Sequence, residues 1–392
     1  MPIAFATKTL IFSCAVALTM AASSPSHAQT AKKALIDPFA TTETKALFQN
    51  LDKISDKGIL FGHQHATEYG HGWTANDAEN ANRSDVKSVV GAHPAVVGVD
   101  ISGLSGRSRE RIEAEKTRLR RVMADTYNRG GLTTISWHFS NPVTPTGFQW
   151  SESAAPAVKN IIPGGSHHEQ YKAILIDIAD LAKTTKGKDG SLAPLIFRPY
   201  HEFDGGWFWW GASHCTREEF IALWRFTVGY LRDNQGVHNF VYTFSPDCTW
   251  SDEAGFLDRY PGDEWVDMVG MDNYADFGRD GKYNLEAGFR KLKIVSDVAK
   301  KRNKLAAFTE TGLESIPNPT WWTESLLKGL KTNDLKLTYA LVWRNDQRSA
   351  THYYAPFAGH SSAPDFVKFY NDDFTVFEND LPPLYKTTSQ TR

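Results

Sequence analysis

Eight short runs of apolar and β-branched residues recur along the chain, each ending in polar or aromatic side chains: Gly58 to His63, Ala95 to Asp100, Leu132 to His138, Pro194 to His201, Phe240 to Ser245, Val266 to Asn273, Leu305 to Glu310 and Thr338 to Arg344. Such near-continuous apolarity suits parallel strands covered on both faces. Between the runs the pattern changes to a helical one. Over His168 to Lys183, residues Tyr171, Ile174, Leu175, Ile178 and Leu181 share one face at spacings of three and four, the stripe that packs on a sheet. Thr216 and Glu219 form a capping-box pattern ahead of Phe220, Leu223, Phe226, Thr227 and Tyr230, so a helix is predicted just past the loop after the fourth run.

Strand-helix alternation repeated eight times predicts an α/β fold: a single (β/α)8 TIM barrel over residues 36–388, with its active site at the C-terminal ends of strands 4 and 7. A doubly wound open sheet gives much the same local pattern and is the alternative. No linker rich in Pro, Gly or Ser divides the chain after residue 35, and the 392 residues suffice for one large core.

The segment ahead of the first run reads differently. Lys8, the apolar stretch from Thr9 to Ala22, and Ser26-His27-Ala28 before Gln29 have the three parts of a secretory signal peptide, residues 1–28, with cleavage after Ala28. The apolar stretch is 14 residues, short of the ~20 that span a bilayer, so no stable membrane insertion is expected. A lipid anchor on Cys14 is the lesser reading, because that residue sits in mid-stretch. A secreted or periplasmic protein follows. Once the leader with its Lys8 is removed, the net charge becomes −3, which offers no electrostatic footprint for nucleic acid. Two cysteines survive processing, Cys215 and Cys248; in an exported protein they are a disulfide candidate, and two separate buried thiols are the alternative.

Carboxylates mark the chemistry. The fourth run ends Arg198-Pro199-Tyr200-His201-Glu202, ahead of Asp204 and the aromatic block Trp207 to Trp210, and the seventh ends Phe308-Thr309-Glu310. A carboxylate ending an apolar strand must face the barrel mouth or be neutralised, since an unpaired buried charge is very costly. Glu202 and Glu310 on nearly opposite strands therefore suggest a pair acting across a bound substrate, as glycoside hydrolysis requires. A buried ion pair with Arg198 or Arg344 is the structural alternative for each. Trp207, Trp209, Trp210, Trp250, Trp321, Trp322 and Trp343 fall in or near strand-end loops, where a flat apolar face stacks on a sugar ring. Trp224, inside a helix, is assigned to packing.

The blocks RPYHEFDGGWFWWG (198–211), MDNY (271–274), FTETG (308–312) and VWRND (342–346), with WHFSNP (137–142) upstream, resemble glycoside hydrolase family 26, chiefly β-mannanases of the retaining clan A. Five blocks in order cover most of the chain. The resemblance implies that Glu202 is the general acid/base, Glu310 the nucleophile, and that Tyr274 hydrogen-bonds the nucleophile. It makes His138, His201, Trp207, Asp272, Trp343 and Arg344 sugar-binding or supporting residues; Arg198 and His65 complete the expected substrate-binding set. Related barrel hydrolases carry Asn before the acid/base where this chain has His201, which suits a mannoside with its axial 2-hydroxyl. Mannan, glucomannan or galactomannan is the implied substrate; separately, a monomer with neither cofactor nor metal is expected. Xylan or mixed-linkage glucan is the alternative within this class.

Two rivals come from other classes. Gly62-His63-Gln64-His65 could begin a barrel metallohydrolase through His63 and His65, yet the fifth and sixth runs end without a histidine ligand. A catalytically silent carbohydrate-binding barrel would keep the tryptophans and lose a carboxylate, and both carboxylates are present.

Overall fold

In the computed structural model, which describes residues 1, 2, 4, 33–75 and 82–387, the eight apolar runs become eight parallel strands. They are β1 (Ile59–Gln64), β2 (Val96–Asp100), β3 (Leu132–Ser136), β4 (Leu195–Arg198), β5 (Phe240–Phe244), β6 (Met268–Asp272), β7 (Leu305–Thr311) and β8 (Tyr339–Val342). Each pairs with the next, and β8 returns to β1, with Leu60 opposite Tyr339 and His63 opposite Val342. That last pairing closes the sheet and excludes the open doubly wound alternative. The predicted leader and Cys14 lie outside the described residues, apart from positions 1, 2 and 4. Among the described residues no helix is long and apolar enough to cross a membrane.

Alternation along each strand divides the apolar residues between two layers. Leu60, Val96, Leu132, Ile196, Val241, Met268, Leu305 and Leu341 fill the barrel, and Leu47, Phe48 and Leu51 of the helix Thr42–Ile54 pack beneath them. Burying each such side chain contributes roughly 1.5–3 kcal/mol. Phe61, Val97, Ile135, Phe197, Tyr242, Val269 and Phe308 face outward into the second layer, under the helices. The helix predicted from His168 runs His168–Thr184 and buries Tyr171, Leu175, Ile178 and Leu181. The capping box is also formed: Thr216 Oγ1 accepts from Glu219 N–H at 3.1 Å, and Glu219 Oε2 accepts from Thr216 N–H at 2.9 Å. Trp224 is fully buried and donates to the Trp265 carbonyl, a packing role.

The disulfide is not formed: Cys215 and Cys248 are free, buried thiols. Each has partners of its own. Cys215 Sγ donates to the Trp210 carbonyl at 3.5 Å and accepts from Arg259 Nη1, while Cys248 Sγ donates to Asp247 Oδ2 at 3.4 Å. Arg259, which also ties down the carbonyls of Ala212, Cys215 and Thr216, holds Cys215 in place.

Candidate active site

β4 stops at Arg198, and the next four residues make a tight turn in which Tyr200 and Glu202 both adopt φ of 53°. Left-handed backbone at a non-glycine residue costs on the order of 1–3 kcal/mol and persists only where its surroundings fix it. Here the fixing groups are visible. The Tyr200 phenol is buried between Tyr171 and Thr227 and lies 2.7 Å from Thr227 Oγ1, and Glu202 N–H donates to the Ser245 carbonyl at 3.0 Å. The turn lifts the Glu202 carboxyl into the barrel mouth, where Trp207 Nε1 donates to Oε2 at 2.7 Å.

Glu310 reaches the same space by another route. Strict alternation inward from Leu305 and Ala307 would aim Thr309 inward and Glu310 out. A register shift breaks that alternation: Met271 pairs with Phe308, but Asp272 pairs with Glu310. A bulge of this kind re-aims the side chain that follows it, and Glu310 turns into the barrel mouth, 3% exposed. Gly270, opposite, leaves the room, since a Cβ there would stand 2.4 Å from Thr309 Cγ2.

Arg198 lies fully buried beneath the two strand ends. Its Nη1 donates to Asp272 at 3.1 and 3.2 Å and to Ser245 Oγ, and its Nη2 bonds Glu310 Oε1. The other Glu310 oxygen accepts from the Tyr274 hydroxyl at 2.9 Å. One oxygen each of Glu202, Asp272 and Glu310 lie within 4.8 Å of one another, well inside the roughly 6.5–9.5 Å that leaves room for a water between two carboxyls. Burial, with the negative charges of Asp247, Asp272 and Glu310, pushes the Glu202 carboxyl well above the usual range, and the Trp207 bond opposes this. Burial also raises Asp272 well above its ordinary value, against the pull of Arg198. Glu202 is thus set to hold a proton, while the two Glu310 oxygens each face a donor, Arg198 on one side and Tyr274 on the other.

A second polar chain lines the floor. Asp100, at the end of β2, lies 2.5 Å from His138 Nδ1, and His138 Nε2 stands 3.1 Å from His201 Nε2. Burial acts to raise Asp100, but the His138 ring holds it well below the usual carboxylate range. Burial drives His201 well below the ordinary histidine value, so it is neutral. The Trp343 ring packs edge-on to His138 at 5.9 Å, and Arg344 Nη1 bonds Asp346 at 2.8 Å. His65, with φ of 55°, stacks on Tyr69 and places Nδ1 2.5 Å from Glu68; burial holds its pKa at about 3.

Several expectations need correction. Trp209, Trp210, Trp321 and Trp322 are fully buried, and each donates its indole N–H inside the protein: to Phe139 O, His201 O, Phe277 O and Ser362 Oγ respectively. Trp250 is 7% exposed and bonds the Asp247 carbonyl. Of the seven tryptophans, Trp207, at 37% exposure, and the partly buried Trp343 retain a face for a sugar. The His63–His65 pair also comes apart. His63 pairs in register with Val97 and Val342 and is buried in the outer layer, so it does not line the cleft beside His65. Among the described residues the one cluster of converging ligand-type side chains is Glu202, Asp272 and Glu310, with neither histidine in it.

Sequence reasoning passed over two acidic residues. Asp100 ends the second run, so the strand-end rule applied to Glu202 reaches it too. Asp247, raised to about 6 by burial and by Asp204, follows the fifth strand; Asp204 holds its loop by accepting from Asp247 N–H at 2.6 Å and Thr249 N–H at 3.1 Å.

The chain is similar to known proteins over most of its length. A mannan endo-1,4-β-mannosidase of Bifidobacterium adolescentis is 35% identical over 354 residues, which is 85% of this chain but 34% of that protein. This chain therefore spans about a third of that relative's length. One of Bacillus subtilis is 24% identical over 337 residues, 83% of this chain and 86% of that one. The solved structure of a family 26 β-mannanase from Bacteroides ovatus superposes with a TM-score of 0.81 at 39% identity, over 89% of this chain and 98% of that one. The model of glycosyl hydrolase family 26 matches residues 36–347, a span that includes all eight strand ends, and this chain belongs to that family.

Proposed function

We propose that the chain is an exported, retaining mannan endo-1,4-β-mannosidase in which Glu202 is the acid/base and Glu310 the nucleophile. The observation that carries this reading is the convergence of the two carboxyls, one recessed and held protonated, the other bonded by Arg198 and Tyr274. Glu202 gives its proton to the glycosidic oxygen as Glu310 attacks the anomeric carbon. The C–O bond to the leaving sugar breaks and a glycosyl ester forms. Glu202, now ionised, takes a proton from water, whose oxygen displaces Glu310 and restores the original anomeric configuration.

Mannan, glucomannan and galactomannan are the proposed substrates, supported by the names of the relatives and by His201 in place of Asn. Export rests on the leader pattern from Lys8 to Ala28. A monomer without nucleic-acid partner or membrane insertion is supported by the near-neutral charge and by the scatter of exposed large apolar side chains such as Phe39, Ile176 and Val367. The experiment is hydrolysis of linear mannan, xylan and mixed-linkage glucan by the purified enzyme with and without chelator, the product anomer being followed by proton NMR. Chelator-insensitive release of β-anomeric manno-oligosaccharides is expected. Preference for xylan or glucan would move the enzyme to another β-glycan, chelator-sensitive hydrolysis would favour a metallohydrolase, and initial α-product would refute retention.

A further inference from the structure

Strand order puts Trp207, after β4, on the side of the ring opposite Trp343 and Arg344, after β8, so the line joining them divides the loops after β5, β6 and β7 from those after β2 and β3. To one flank of that line lies a cavity of about 380 Å³, walled by Tyr274, Arg279, Asp280, Glu314, Thr351 and Tyr354. These residues come from the loops after β6, β7 and β8. The cavity shares the wall formed by Tyr274, whose hydroxyl holds Glu310, so it lies beside the reacting centre.

Its chemistry is that of a site for a neutral, hydroxyl-rich group. The Arg279 guanidinium stands 4.8 Å from the centre of the Tyr274 ring and makes no hydrogen bond or ion pair with another described side chain. One Glu314 oxygen is taken by His352 at 2.6 Å, and the carboxylate is half exposed. One guanidinium and two carboxylates in the same walls supply both donors and acceptors, and the carboxylates disfavour an anion. The walls are also held in costly conformations: Asp280 and Ser315 have φ of 57° and 60°, and Ile316, next to Ser315 but buried in the core, has 41°. Together they are three of the eight non-glycine residues with positive φ among the described residues, and such strain gathers at ligand sites.

We propose that this cavity receives a single hexosyl branch carried on the O6 of a main-chain mannose, so that the enzyme cuts next to galactosylated units. This rests on the mannanase reading. The test compares kcat/KM of the full enzyme on linear mannopentaose and on mannopentaose with one α-1,6-galactosyl branch. Two variants accompany the wild type: Glu314→Ala, which removes an acceptor, and Thr351→Trp, which fills the cavity from an exposed position. The wild type is expected to cleave beside the branch, and both variants to lose about tenfold or more on the branched substrate while staying within about twofold on the linear one. A wild type that stalls at the branch, or variants that slow both substrates alike or neither, would overturn the cavity's assignment while leaving the mannanase reading intact. A wild type inactive on linear mannopentaose would overturn that reading, and this one with it.

Discussion

Trp207 donates its indole N–H to Glu202 Oε2 at 2.7 Å, a bond that favours the ionised form of the group proposed to act protonated. Burial and the charges of Asp247, Asp272 and Glu310 pull the other way and prevail. Activity that needs protonated Glu202 falls as pH rises through its pKa. Trp207→Phe keeps a ring and removes the donor, so the pKa rises and the alkaline limb of kcat/KM moves to higher pH. Asp247→Asn removes a negative neighbour, and the limb moves to lower pH. Shifts of the same sign in the two variants would contradict this balance.

Tyr274 and Arg198 hold the two oxygens of Glu310 separately. For Tyr274→Phe, kcat is expected to fall roughly ten- to a thousandfold, equivalent to ~1.4–4 kcal/mol of transition-state stabilisation, with a small change in KM. An effect confined to KM would make Tyr274 a stacking residue only.

Arg198 neutralises two buried carboxylates at once, Asp272 and Glu310. Arg198→Met leaves both without a counter-charge, and breaking a buried ion pair on one side costs about 3–5 kcal/mol. Urea unfolding should show a loss of that order at neutral pH, partly recovered in acid as the carboxylates take up protons. Unchanged stability would mean the pair contributes nothing to the fold.

Much of this was readable in the residues, for physical reasons that also mark where reading stops. Parallel strands buried on both faces leave apolar runs, so all eight were visible, and their polar ends pointed to Glu202 and Glu310. Residue type does not reveal which way a strand-end side chain faces. Glu310 enters the cleft because of a bulge that no local pattern announces, and His63 faces outward because it sits one residue out of phase with the interior set. Tryptophan suits a sugar platform and a packed core equally well. Trp209 and Trp210 went to the core because the folded chain offered their indoles the carbonyls of Phe139 and His201. Asp100 acquires its importance only through the approach of β2 to β3, which sets it against His138.

Glu202 and Glu310 should divide their labour measurably. On an aryl mannoside with a good leaving group, Glu202→Ala should retain the glycosylation step and lose the alkaline limb of its pH profile, since no proton has to be given to the departing group. Glu310→Ala should be inactive on every substrate, because Asp272, the other carboxylate of the cluster, is fully buried and bonded to Arg198. Equal losses on the activated substrate would remove the basis for these roles.

The most direct measurement is covalent trapping with a 2-deoxy-2-fluoro-mannoside bearing an activated leaving group, which slows release of the glycosyl ester more than its formation. Intact-mass and peptide mass spectrometry should find one sugar per enzyme, attached to Glu310 in the β7 segment Leu305–Thr311. Attachment to Glu202 or Asp272, or turnover of the reagent with inverted configuration and no adduct, would contradict the account.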